Sequence, residues 1–139
     1  MKYRHLHGYK YELLETEAID TKITGVELTT EYICLWPDGR LFVKKRYAWD
    51  GASFLTFDTK SSMRGSLFHD ALYQLMREGL LNRDEWRKYA DDEVLRDICI
   101  EDGMWPARAK LWYWFVRKFG KGSSMPRKKP RGKIVEIEK

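Results

Sequence analysis

The chain has 139 residues and carries 26 basic against 21 acidic side chains, a net charge of +5. At 43% hydrophobic and 34% charged it is too apolar for a disordered chain and long enough for a self-supporting core. Two cysteines, Cys34 and Cys99, exclude a disulfide scaffold and lack zinc-site spacing, and no apolar run reaches the ~20 residues of a transmembrane helix.

The charge is unevenly spread. Residues 117–133 hold eight basic groups and no acidic one, and the last six residues sum to −1, which leaves −2 for residues 1–116. The expected organisation is a mildly acidic domain over 1–120 followed by a basic arm over 121–139. No aromatic residue interrupts 120–133, so the arm has no base-reading device. What it offers nucleic acid or anionic lipid is non-specific Coulombic attraction. The opening residues MKYRHLHGYKYELLE lack an apolar signal region, so export is not expected.

Taken in order, the first 47 residues read as strands. Tyr9 to Leu14 and Ile23 to Leu28 alternate or are β-branched. Glu31 to Trp36 and Leu41 to Tyr47 flank Pro37-Asp38-Gly39, where Pro sets the entry dihedral and Gly accepts a positive φ. Residues 31–47 are therefore a predicted β-hairpin. Residues 54–62 read as a loop. Leu67, Phe68, Leu72, Leu75 and Met76 then recur at helical spacing, with Gly79 as the stop.

Asn82 or Asp84 can cap a second helix, on which Trp86, Tyr89, Ala90, Val94, Leu95 and Ile98 form an apolar stripe ending near Gly103. Pro106 suits the first turn of a third helix running to Phe119. That helix is aromatic on several sides; most of its residues are expected in the core, with one stripe packing and an exposed remainder left for a membrane surface or a protein partner. Lys133 to Ile137 reads as a short terminal strand or anchoring arm. The predicted fold class is α+β: antiparallel hairpins in a small N-terminal sheet, then a three-helix half.

Chemistry concentrates in His69-Asp70-Ala71-Leu72-Tyr73. On a helix, His69 and Tyr73 share one face and Asp70 is turned about 100° away. The short link 79–84 brings the next helix back antiparallel, with Asp91 within ~5 Å of the height of His69. A carboxylate beside an imidazole fixes its tautomer and steadies the imidazolium, which makes His69 a usable general base. Tyr73 can donate to the same carboxylate. Asp70 is left toward residues 49–53, where the small Gly51 lets backbone carbonyls approach a hard cation.

The stretch HDALYQLMREGLLNRDEWRKYAD resembles the active-site helix pair of phospholipase A2, most of all the small prokaryotic enzymes and the lipase domain of parvovirus minor capsid proteins. Those share an HDxxY helix, a Gly- and Asn-containing link, and an AD or ID on the next helix. The wider pattern of WDGAS, HDALY, YADDE and a final aromatic helix, over most of residues 9–120, resembles a phage and prophage family known as domain of unknown function 1353. The lipase likeness implies that His69 deprotonates water, Asp91 orients His69 and Tyr73 supports Asp91. It implies that Asp70 and carbonyls of Trp49, Gly51 and Ser53 hold Ca²⁺. The loop departs from the lipase pattern in having one glycine where those enzymes carry a GxG pair.

The phage likeness implies other virion proteins as partners and a place in the virion or the host cytoplasm; an active enzyme would also meet a phospholipid surface. The alternative to an enzyme is a catalytically silent virion component that docks through the aromatic helix and the basic arm. An HD dipeptide also resembles the HD phosphohydrolases, but these need a larger all-helical domain, and the remaining histidines, His5 and His7, lie at a terminus expected to be loose.

Overall fold

The structure is a computed structural model, described over residues 1–6, 11–49 and 60–119, without the side chains of Lys60, Trp112, Val116 and Phe119. The fold is α+β, with antiparallel strands in the first half and helices in the second. The chain divides into two compact units, Met1–Gly51 and Ala52–Lys139.

The first unit holds two antiparallel sheets. Strands β1 (Tyr3–His5), β2 (Tyr11–Leu13) and β7 (Ala48–Trp49) make one, in the order β1-β2-β7. Strands β3 (Glu17–Asp20), β4 (Leu28–Thr29), β5 (Ile33–Leu35) and β6 (Arg40–Val43) make the other, in the order β3-β6-β5-β4. The hairpin expected over 31–47 is β5 and β6, with Ile33 opposite Val43 and Leu35 opposite Leu41. Ile33, Leu35, Leu41 and Val43 are fully buried.

Ile23 to Leu28 is not the strand its β-branched character predicts. Thr21 Oγ1 accepts from the amide of Ile23 and donates to the Gly39 carbonyl, and the amide of Gly25 donates to Pro37. The segment thus turns back to wrap the hairpin turn, and β3 supplies the partner of β6 instead. A Cβ on Gly39 would collide with the Thr21 carbonyl, so this turn needs glycine for space as well as for its φ of +98°. His5, expected at a loose terminus, lies in β1 and stacks on Tyr11.

The second unit begins with α1 (Lys60–Arg77). Its end is closed by the amide of Leu80 donating to Leu75 and that of Gly79 to Met76, the hydrogen-bond pattern of a glycine-terminated helix. Asn82 caps the next helix, accepting from the Glu85 amide at 2.9 Å. The stretch read as one helix is a continuous rod of three parts: α2 (Arg83–Tyr89), a π-helical stretch (Ala90–Arg96) and α3 (Asp97–Glu101). Finally α4 (Pro106–Phe119) packs against the π stretch and α3.

The π stretch follows from the apolar pattern. Ala90, Val94 and Ile98, with Asp91, Leu95 and Cys99, are buried at steps of four. In a 3.6-residue helix, eight residues overshoot the starting direction by ~80°, so such a row drifts off the core. Widening the turns keeps both rows facing α1. The two rods run antiparallel. Arg64 makes a bidentate pair with Asp102 near one end, and a Cβ on Gly65 would stand 2.7 Å from Cys99 Sγ and 3.0 Å from the Leu95 carbonyl.

The described part of α4 departs from the expected packing. Only Ala109 is buried there, while Leu111 and Trp114 are half exposed and Trp105, just before the helix, is 80% exposed. The terminal strand proposed for Lys133 to Ile137, and the whole arm 121–139, lie outside the described residues.

Close approach at Gly65 carries a direct consequence. Gly65→Val should lower the unfolding free energy of the helical unit by about 1–3 kcal/mol, since the added atoms meet backbone as well as Cys99. Gly79→Ala, where nothing lies within 4 Å, should cost only its left-handed backbone, about 1 kcal/mol. Urea titrations followed by far-ultraviolet circular dichroism measure both.

Candidate functional site

Three of the residues singled out from sequence meet at one carboxylate. Asp91 Oδ1 lies 2.8 Å from His69 Nε2 and accepts from the Tyr73 hydroxyl at 2.7 Å. Asp91 is fully buried, and His69 and Tyr73 are nearly so. The neighbouring Asp92 does not face the imidazole. It pairs with Lys88 at 2.9 Å and with Arg96 at 3.8 Å, and takes a hydrogen bond from Tyr113 of α4. The π stretch decides this outcome by turning Asp91 onto the α1 side.

Burying a carboxylate costs several kcal/mol unless charge and hydrogen bonds compensate. The compensation here comes from two arginines the sequence reading did not place at the site. Arg117, in the last turn of α4, donates to Asp91 Oδ2 at 3.1 Å. Arg87, on α2, donates through Nε to the Tyr73 hydroxyl at 3.1 Å and through Nη2 to the backbone carbonyl of Arg117 at 2.9 Å. The signal for Arg117 was hidden in the charge count, where it fell at the head of the basic run. Arg87 lies four residues before Asp91, close to one helical turn.

Burial pushes the His69 imidazolium down from 6.5, but hydrogen bonds and charge from Asp70 and Asp91 outweigh it, and its pKa ends up raised. Burial, reinforced by Asp91, pushes the Tyr73 hydroxyl far above its ordinary range, so Tyr73 remains a proton donor. The Cys99 thiol is pushed up to about 12 by burial and is no nucleophile at neutral pH.

With Nε2 committed to Asp91, the other ring nitrogen is the one that can act on a substrate. His69 Nδ1 lies 3.5 Å from Asp70 Oδ1, at the outer limit of a hydrogen bond. The Asp70 side chain is 33% exposed against 6% for His69, so the Nδ1 side of the ring lies beside the more exposed of the two groups. The expected cation loop is not brought to view: Asp50, Gly51, Ala52 and Ser53 lie outside the described residues. Trp49 is buried in β7, where it pairs with Tyr11. Among the described residues no group of three or more His, Cys, Asp or Glu side chains is placed to hold a metal ion.

The raised pKa of His69 has a definite sign in stability. A group whose folded pKa exceeds its unfolded value of 6.5 contributes fully below that pH and loses its contribution as pH rises through the folded value. Urea midpoints of the wild type and His69→Gln should therefore differ most at about pH 6 and converge as pH is raised. A gap that widens with pH would contradict the described pairing.

Compared with known proteins, the chain matches no family model, no curated protein and no solved structure, so the reading of this site rests on its own geometry.

Proposed function

We propose that the helical unit is a hydrolase of the phospholipase A2 kind, in a protein of phage or prophage origin, acting on phospholipid esters. The observation that carries this reading is Asp91 Oδ1 within hydrogen-bond distance of both His69 Nε2 and the Tyr73 hydroxyl. In that arrangement His69 Nδ1 takes a proton from water as the water oxygen bonds to the ester carbonyl carbon. The imidazolium, steadied by Asp91, then returns the proton to the leaving alkoxide as the ester C–O bond breaks. The products are a fatty acid and a lysophospholipid.

The resemblance to those lipases also assigns Ca²⁺ to Asp70 and to carbonyls of Trp49, Gly51 and Ser53, where a bound ion would polarise the ester carbonyl. In keeping with the phage likeness, we assign the protein to the virion or the host cytoplasm. Among the described residues no helix is long and apolar enough to cross a membrane.

A second reading draws on the exposed Trp105, Leu111 and Trp114 around α4. In it the protein is a catalytically silent virion component that docks on other virion proteins through this face, with the basic arm adding non-specific contact to nucleic acid.

One assay separates the two. Phospholipid vesicles incubated with wild type and Ca²⁺ should release fatty acid, with EDTA abolishing release and His69→Ala reducing it by about 100-fold or more. Equal, background-level release from wild type and His69→Ala removes the hydrolase reading and leaves the silent component.

A further inference from the structure

The hydrogen bonds around Asp91 close a ring through three helices. It runs from Asp91 to the Arg117 side chain, from the Arg117 carbonyl to Arg87, from Arg87 to Tyr73, and from Tyr73 back to Asp91, with His69 attached at Oδ1. Every proton in such a ring must point one way or the other, and arginine leaves no choice. A guanidinium carries five N–H donors, no acceptor, and does not lose its proton in a protein. Arg87 Nε therefore occupies a lone pair of the Tyr73 oxygen, and the single hydroxyl proton of Tyr73 goes to Asp91 Oδ1. Arg117 likewise can only donate to Oδ2. Asp91 is thus an acceptor toward both partners, and a carboxylate held by donors alone has no proton to give, so its hydrogen bond with His69 is donated by Nε2.

We infer that Arg87 and Arg117 are positioning residues that fix His69 in the tautomer with its proton on Nε2 and its lone pair on Nδ1. The groups that face His69 are Asp70 and Tyr73 from α1 and Asp91 from the π stretch, with Arg87 and Arg117 acting through Tyr73 and Asp91. Asp70, whose carboxylate favours a proton on Nδ1, opposes the assignment only weakly, because its oxygen stands 3.5 Å away. The consequence for α4 is specific. Its last described turn supplies the guanidinium that orients the donors of a site on the other two rods, so docking of this helix completes the site. The role of the arginines in catalysis rests on the hydrolase reading; the tautomer does not.

The test uses the full chain labelled with ¹⁵N on its histidines, at a pH where the imidazole is neutral. Long-range proton–nitrogen correlation spectra distinguish a protonated from a bare ring nitrogen. Wild type and Arg117→Lys, which keeps a donor-only cation, should show His69 protonated on Nε2. Arg117→Met and Arg87→Gln, the latter able to accept as well as donate, should shift His69 toward a mixture of tautomers. On vesicles, Arg117→Met should lower kcat by about tenfold or more with KM within about twofold, and Arg117→Lys should recover most of it.

Should Arg117→Met unfold, Arg87→Gln and Arg117→Lys still decide the matter through the same spectra. A wild-type His69 protonated on Nδ1 overturns the inference. So does an unchanged Nε2 tautomer in folded Arg117→Met and Arg87→Gln. Tautomer shifts in those two variants, with a wild type that holds the Nε2 proton but hydrolyses nothing, uphold the inference and defeat the hydrolase reading.

Discussion

A carboxylate with no exposure to water is the constraint around which the helical unit is arranged. Asp91 is buried between two helical rods, where an unpaired charge would cost more than a large share of a small domain's net stability. Three donors from two helices meet it: His69 from α1, Tyr73 one turn further along the same helix, and Arg117 from α4. Removing any one leaves the others around a poorly compensated charge. The arrangement therefore ties the docking of α4 to the geometry of the helix pair. Stability and the orientation of the imidazole come from the same contacts.

The backbone serves that meeting in two places. Gly65 lets α1 approach so closely that its missing Cβ is replaced by Cys99 Sγ and the Leu95 carbonyl. The π stretch from Ala90 to Arg96 widens the helix where Asp91 must meet His69 and Asp92 is left to Lys88, Arg96 and Tyr113. A regular helix would carry its buried rows away from α1 within two turns. π-helical turns lose hydrogen-bond regularity and persist where side-chain placement compensates, often at functional sites. Here the compensation is visible as a set of charge-assisted hydrogen bonds.

Much of this could be read before the structure. The hairpin followed from Pro37-Asp38-Gly39 between β-rich runs, the stop of the first helical rod from Gly79 and the cap of the second from Asn82, whereas α1 begins at Lys60, inside the stretch 54–62 that reads as a loop. The proximity of His69, Tyr73 and Asp91 followed from helical spacing and a short link. What stayed hidden depends on contacts distant in sequence. Ile23 to Leu28 looks like a strand, but Thr21 and Gly25 tie that segment to a turn some fifteen residues away. The four-residue step of Ala90, Val94 and Ile98 was present but read as an ordinary stripe. Arg117 looked like tail charge because its partner lies 26 residues earlier, on another rod.

The site thus has the parts of a general base held by a carboxylate, with the proton order set by groups that can only donate. A hydrolase would use that order directly, and a silent docking protein would keep it as structure. Both depend on the pairing of Asp91 with Arg117, which makes that pair the point to test. The most direct measurement is a double-mutant cycle on folding stability, with Asp91→Asn, Arg117→Met and the double variant unfolded in urea. The account predicts that the two substitutions are coupled by about 1–3 kcal/mol, the double variant being less damaged than the sum of the singles. Additive losses would contradict it.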